Sequence, residues 1–218
     1  KTELLRACIE SIVEKTTYPN YEIILVDNGS KDPDTLEYYE RLRDDPRIKI
    51  LDFPGPFNYH LINNTAVRQA QGEILVFLNN DTEVLEPAWL EELAGWAERP
   101  QVGVVGTKLL RPDGSIQHAG IIMGLAGHGS HIFDGAPEHF YGPYGSTEWY
   151  RNYHAVTGAC LAVRRDVFDQ LGGFDEVYRV GYGDIDLCLR AEKAGFRVVY
   201  TPFARLLHHE GGSRGLSL

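Results

Sequence analysis

Short apolar runs alternate with helix-patterned segments along the first half of the chain, and this alternation dictates a layered sheet. EIILVD (22–27), RIKIL (47–51), EILVFLNN (73–80) and VGVVG (102–106) are short and rich in β-branched residues, as strands are. Strands that are apolar throughout need cover on both faces. The segments between them supply it. In KTELLRACIESIVEK, Leu5, Cys8, Ile9, Ile12 and Val13 recur at helical spacing. TLEYYERLRDD reads as a second helix, and LINNTAVRQAQG as a third that stops at Gly72. PAWLEELAGWAERP is a fourth, with Pro87 at its first turn. Strand–helix alternation of this kind predicts an α/β fold with a mostly parallel sheet between two helical layers.

The second half is less regular. KLLRPDGSIQHAGIIM carries the alternation and central Asp-Gly of a β-hairpin. Residues 124–157 are rich in Gly, His, Tyr and Phe without a clear period, and a loop this long is usually functional or mobile. GACLAVRRDVFDQLGGF returns to strand and helix, GDIDLCLRAEKAGF to helix, and RVVYTP to a last strand. The expected organisation is one domain over 1–218, with a ligand-binding half to residue 106 and an irregular half from 107 onward.

The 218 residues carry 21 Lys and Arg against 31 Asp and Glu, a net charge of −10. With no run of basic residues, nucleic acid is not an expected partner. Phosphate ligands remain open, because an acidic protein can hold them through a divalent cation. Cys8, Cys160 and Cys188 lie among apolar neighbours with no CxxC spacing, which predicts buried, reduced thiols and a cytoplasmic setting. No apolar run reaches the roughly 20 residues that a membrane span needs.

Acids cluster where strands end, and in open α/β sheets ligands bind beyond the carboxyl ends of the strands. Asp27 closes EIILVD ahead of Asn28, Gly29 and Ser30, which is equally good turn chemistry. Asp81 and Glu83 follow EILVFLNN two residues apart, so on an extended segment they point the same way. Side-by-side carboxylates suit Mg²⁺ or Mn²⁺, although Glu83 could equally favour the dipole of the next helix. In GYGDIDLCLR, Asp184 and Asp186 read either as helix-start residues or, for Asp184, as a general base. LLHHEGGSRG places two histidines directly after a strand. There His208 could complete a metal site and Arg214 could pair with phosphate.

VDNGS, FNYHLINNTAVRQAQGEILVFLNNDTEV, KLLRPDGSIQHAG, AVTGACLAVRRDVFDQLGGFDE, GDIDLCLR and HHEGGSRG occur in this order along nearly the whole chain. The set resembles bacterial family 2 glycosyltransferases, of the branch that builds O-antigen, rhamnan and other cell-surface polysaccharides. The resemblance implies a GT-A fold and a metal-dependent, inverting transfer from a nucleotide-diphosphate sugar to a glycan or lipid-linked glycan acceptor. It implies Mg²⁺ or Mn²⁺ as cofactor and a cytoplasmic protein, at the inner face of the membrane in some relatives. Peripheral membrane association and self-association stay open. By position it makes Asp27, with Asn28, Ser30 and Asn64, the nucleotide-binding set, and Arg214 a phosphate partner. Asp81 and Glu83 take the DXD-type acidic places, His208 the late histidine at the metal or diphosphate, and Asp184 the catalytic base.

Two departures stand out. Gly183 occupies the place before the base where the family often has Glu. The family also begins with a central strand of the type V-S-I-I-I-P-T, and this sequence opens with the helix that follows it. The slot of that strand is therefore expected to be empty. Two rivals share features with this reading. A sugar-nucleotide pyrophosphorylase uses a similar sheet and cation but has no place for HHEGGSRG. A non-catalytic sugar- or partner-binding module would not be expected to keep Asp81, Asp184 and His208 together.

Overall fold

The computed structural model describes residues 2–125 and 127–209. Helix α1 (Thr2–Lys15) leads into β1 (Ile23–Asp27), α2 (Pro33–Leu42), β2 (Ile48–Asp52) and α3 (Tyr59–Val67). Then come β3 (Ile74–Leu78), β4 (Thr82–Val84), α4 (Trp89–Ala97) and β5 (Val102–Leu110). The irregular half holds β6 (Ile116–His118), β7 (Ile121–Leu125), β8 (His128–His131), β9 (Tyr141–Gly142), β10 (Gly145–Ser146) and β11 (Arg151–Asn152). It closes with β12 (Cys160–Arg164), α5 (Arg165–Gln170), α6 (Gly183–Lys193) and β13 (Arg197–His208).

The main sheet runs in the order β11-β13-β5-β12-β3. Strand β12 is antiparallel to both β5 and β3, and β13 is parallel to β5. Thus β3, β5 and β13 point one way, with β12 reversed between two of them. Side-chain alternation sends neighbouring residues to opposite faces. Val104, Leu161, Val163, Val198 and Tyr200 pack on one face with Phe168 of α5 and Leu187 of α6. Val105, Cys160, Ala162, Val199 and Leu206 pack on the other with Leu93 of α4 and Ile12 of α1. The two-sided cover expected from the apolar runs is what forms. All three cysteines are free and buried, as expected. Burial pushes the Cys8 thiol up to about 11 and that of Cys160 up to about 12.

Several elements differ in extent from their sequence patterns. Helix α3 ends at Val67 rather than at Gly72. The last strand runs past Pro202 to His208. A proline normally ends or interrupts a strand. Here Pro202 falls inside the irregularity between Tyr200 and Arg205, where the pairing with β5 shifts and resumes. Residues 124–157 are not one open loop: β7–β8 and β9–β10 form small antiparallel pairs, and β11 adds to the edge of β13. In this segment Tyr153 is buried against Tyr200, while Trp149 and Tyr150 stay exposed.

Strands β1 and β2 form a separate parallel pair, not joined to β3. Every residue of β1 is only half-buried, although EIILVD is apolar enough for burial on both faces. Between β1 and β3 lies a cavity of about 600 Å³, lined by Leu5, Cys8 and Ile9 of α1, Leu25 of β1 and Leu75 and Phe77 of β3. An apolar strand fits this lining, with backbone partners available on both sides. Appending an apolar strand-forming segment ahead of α1 is expected to stabilise the fold. A gain of about 2 kcal/mol, less than the burial of two large apolar side chains, would raise the unfolding midpoint by about 4–8 °C. Calorimetry on the extended and original chains checks this, and an unchanged midpoint would show the slot closed by other means.

Candidate active site

The strand ends gather polar side chains at one place. Strand β4 pairs with the end of β13, Glu83 opposite Leu207 and Thr82 opposite His208. The His209 N–H donates to the Asp81 carbonyl at 2.8 Å. This puts the Asp81 carboxylate 3.2 Å from His208 Nε2, with both side chains buried. Asn79 Nδ2 lies 3.4 Å from the same nitrogen, and Gln117 Oε1 lies 2.7 Å from His208 Nδ1. Asp81 and His208 thus come together across most of the chain, as the sequence anticipates.

Glu83 goes elsewhere. Its carboxylate meets His209 Nε2 at 2.7 Å in a second, more open acid–histidine pair. The i, i+2 argument needs an extended segment. Asp81, however, belongs to a turn closed by the Thr82 hydroxyl onto the Asn79 carbonyl at 2.8 Å. Among the described residues, no three His, Cys, Asp or Glu side chains converge as a metal cage.

Asp27, Asn28 and Ser30 stay together at the end of β1. The Ser30 N–H donates to both Asp27 carboxylate oxygens, at 3.0 and 3.2 Å, and the Tyr39 hydroxyl donates to one at 3.2 Å. Asn28 Nδ2 donates to the carbonyls of Phe53 and Gly55 and so ties this loop to the one after β2. Asn64 does different work. Its amide bonds to the N–H and carbonyl of Phe174 and to Glu176, pinning α3 to the loop that leads towards α6. Arg214 lies outside the described residues.

Asp184 sits in the first turn of α6. One carboxylate oxygen accepts from the Gly158 N–H at 2.7 Å and the other from the Ile185 N–H at 2.9 Å. The Tyr59 hydroxyl donates to the Gly158 carbonyl at 2.8 Å, so the peptide that orients the acid is itself held. Asp186 is different: it forms an i, i+4 ion pair with Arg190 at 2.7 Å and belongs to the helix. Gly183 also has its reason here. A Cβ at this position would stand 2.1 Å from His60 Nε2, so a Glu cannot replace the glycine while the buried His60 ring is there.

Gln117, Asn79, His209, Tyr59 and Gly158 are the residues that sequence reasoning passed over. For Gln117 the signal was slight, an amide between Ile116 and His118 in SIQHAG. Its neighbour His118 is fully buried, and burial, with His131 and His208 nearby, holds that imidazole well below the usual histidine range.

Comparison with known proteins identifies the family. The family model described as Glycosyl transferase family 2 matches residues 2–172. The O-antigen biosynthesis protein RfbC of Myxococcus xanthus is 48% identical over 98% of this chain, which spans 17% of that protein's length. The N-acetylglucosaminyl-diphospho-decaprenol L-rhamnosyltransferase of Mycobacterium tuberculosis is 31% identical over 88% of this chain and 68% of its own length. The solved mannosyltransferase PcManGT from Pyrobaculum calidifontis, in complex with GDP-Man and Mn²⁺, has a TM-score of 0.69 at 20% identity, covering 99% of this chain and 55% of that one. This last likeness shows the fold, a GT-A one. The chain belongs to glycosyl transferase family 2.

Proposed function

We propose that this chain transfers a sugar, with inversion, from a nucleotide-diphosphate sugar to a glycan or lipid-linked glycan acceptor in the assembly of a bacterial surface polysaccharide. The observation that carries the reading is the buried approach of Asp81 to His208, 3.2 Å apart where β3 and β13 end. A carboxylate oxygen and an imidazole nitrogen are donors that Mn²⁺ and Mg²⁺ accept, and two protein ligands leave positions for phosphate oxygens and water. The residues present therefore fit the cation. When bound, it supplies Lewis-acid neutralisation of charge on the departing diphosphate.

The other groups divide the remaining work. Asp27, Asn28 and Ser30 form a pre-shaped loop for the nucleotide, because their backbone and amide bonds are already made within the protein. Asp184 takes the proton of the attacking acceptor hydroxyl. Its two N–H bonds fix the carboxylate plane and leave each oxygen a further lone pair for that proton. Exposed Trp149 offers a ring for an acceptor sugar, whereas Tyr150 packs on Trp96 and Phe203. Names of relatives motivate a lipid-linked acceptor, as in the mycobacterial rhamnosyltransferase. Among the described residues no helix is long and apolar enough to cross a membrane.

Two variants test this assignment. Asp81→Ala is expected to abolish Mn²⁺-dependent protection by a panel of nucleotide sugars in thermal unfolding, while the domain stays folded. Nucleotide affinity equal to the parent's removes Asp81 from the metal site. Asp184→Asn is expected to keep donor binding and to lose about 10²- to 10⁴-fold in transfer, the usual contribution of a general base. Transfer at the parental rate in that variant removes Asp184 as the base.

A further inference from the structure

We propose that Gln117 is a positioning residue that fixes His208 as the Nδ1–H tautomer and turns its Nε2 lone pair to Asp81 and the cation. The inference rests on the metal reading above and assigns a task to a residue that reading does not use.

The fold explains why Gln117 points where it does. Strand β6 pairs with β5 as His118 opposite Leu109 and Ile116 opposite Leu110, with an irregularity between the two pairs. Gln117 is the residue the pairing skips. A bulge of this type re-aims one side chain. Ile116 and His118 are fully buried, and Gln117 is only 6% exposed, so its amide has little water to turn to. His131 Nδ1 meets the Gln117 carbonyl at 2.9 Å and holds the backbone in place. The side-chain oxygen then reaches His208 Nδ1 at 2.7 Å, a bond between residues far apart in sequence.

Donor and acceptor rules decide the tautomer. An amide oxygen only accepts, so Nδ1 must carry the proton. On the other side of the ring, Asn79 Nδ2 can only donate, and it lies 3.4 Å from Nε2. Both neighbours therefore select the same form, with the lone pair on Nε2. The Asp81 carboxylate, 3.2 Å from Nε2 and also only an acceptor, then calls for a positive centre between the two, either a second imidazole proton or a cation. Outer residues that hold a histidine in its metal-binding tautomer commonly matter 10- to 100-fold for metal affinity.

The test measures tautomer and metal separately, on the whole chain. In ¹⁵N-histidine-labelled protein without metal, proton–nitrogen correlation spectra report which ring nitrogen of His208 is protonated. Affinity for Mn²⁺ alone is read from the free-ion electron paramagnetic resonance signal, with Asp81→Ala as background. The parent is expected to show Nδ1–H. Gln117→Leu, an apolar side chain of similar size, is expected to lose that tautomer preference and to bind Mn²⁺ about 10- to 100-fold more weakly. Gln117→Glu keeps an acceptor oxygen and is expected to restore both readouts, which a merely structural role would not predict. An Nε2–H parent overturns the proposal. So does Gln117→Leu binding Mn²⁺ as tightly as a parent that binds it well. A parent that binds no more Mn²⁺ than Asp81→Ala instead sinks the metal reading beneath it.

Discussion

The pairing of β13 is the interaction on which the rest depends. This strand takes β5 on one side, and on the other β11 along its first part and β4 along its last. At Val199–Tyr200 and Leu206–Leu207 it has a neighbour on each side, so its backbone groups there are satisfied in ladders deep in the molecule. The break between Tyr200 and Arg205 absorbs Pro202 and turns the second part of the strand towards the polar end. Without that second part, β4 has no partner and His208 is not carried to Asp81.

Charge in the second half is handled by the same strands. Lys108 of β5 is fully buried, and its ammonium pairs with Glu148 and also donates to the Glu138 carbonyl. Burial pushes the Glu148 carboxyl up, but Lys108 and His139 more than offset this and hold it below the usual range. Removing Glu148 would leave the fully buried Lys108 ammonium without its carboxylate, which is destabilising. Arg205 of β13 bridges Glu86 and Glu138. Residues 138–148, which have little regular structure, are thus tied to the sheet by ion pairs. These contacts hold the aromatic segment with Trp149 and Tyr150 beside the sheet rather than free of it.

Sequence periodicity showed the layers well, because each buried strand is apolar and each covering helix has one apolar stripe. It misjudged the reach of β13, since a proline reads locally as a stop and only tertiary pairing shows that it sits in a bulge. Asp81 and His208 were legible as polar residues after strands. Glu83 was not, because alternation holds on a strand and Asp81 is in a turn. Asn64 looked like a ligand residue, yet its amide is engaged by Phe174 and Glu176, partners more than a hundred positions away. Gln117 was hidden for a related reason. A single amide has no period, and its meaning comes from the imidazole that folding places against it.

The charge balance at the strand ends bears on what the proposed cation would do there. A nucleotide-diphosphate sugar brings negative charge to a protein that already carries −10. Among the described residues, three basic side chains of the second half are committed: Lys108 to Glu148, Arg111 to Asp134, and Arg205 to Glu86 and Glu138. Each holds part of the irregular half in place and would have to abandon a carboxylate to meet phosphate. Asp81, on the same ground, would repel a diphosphate rather than draw it. A divalent ion held by the Asp81 carboxylate and the His208 imidazole would reverse that sign while the pairs of Lys108, Arg111 and Arg205 stay made. The acidic residue that makes the site hostile to an anion is, on this account, what makes it selective for an anion that arrives with its metal.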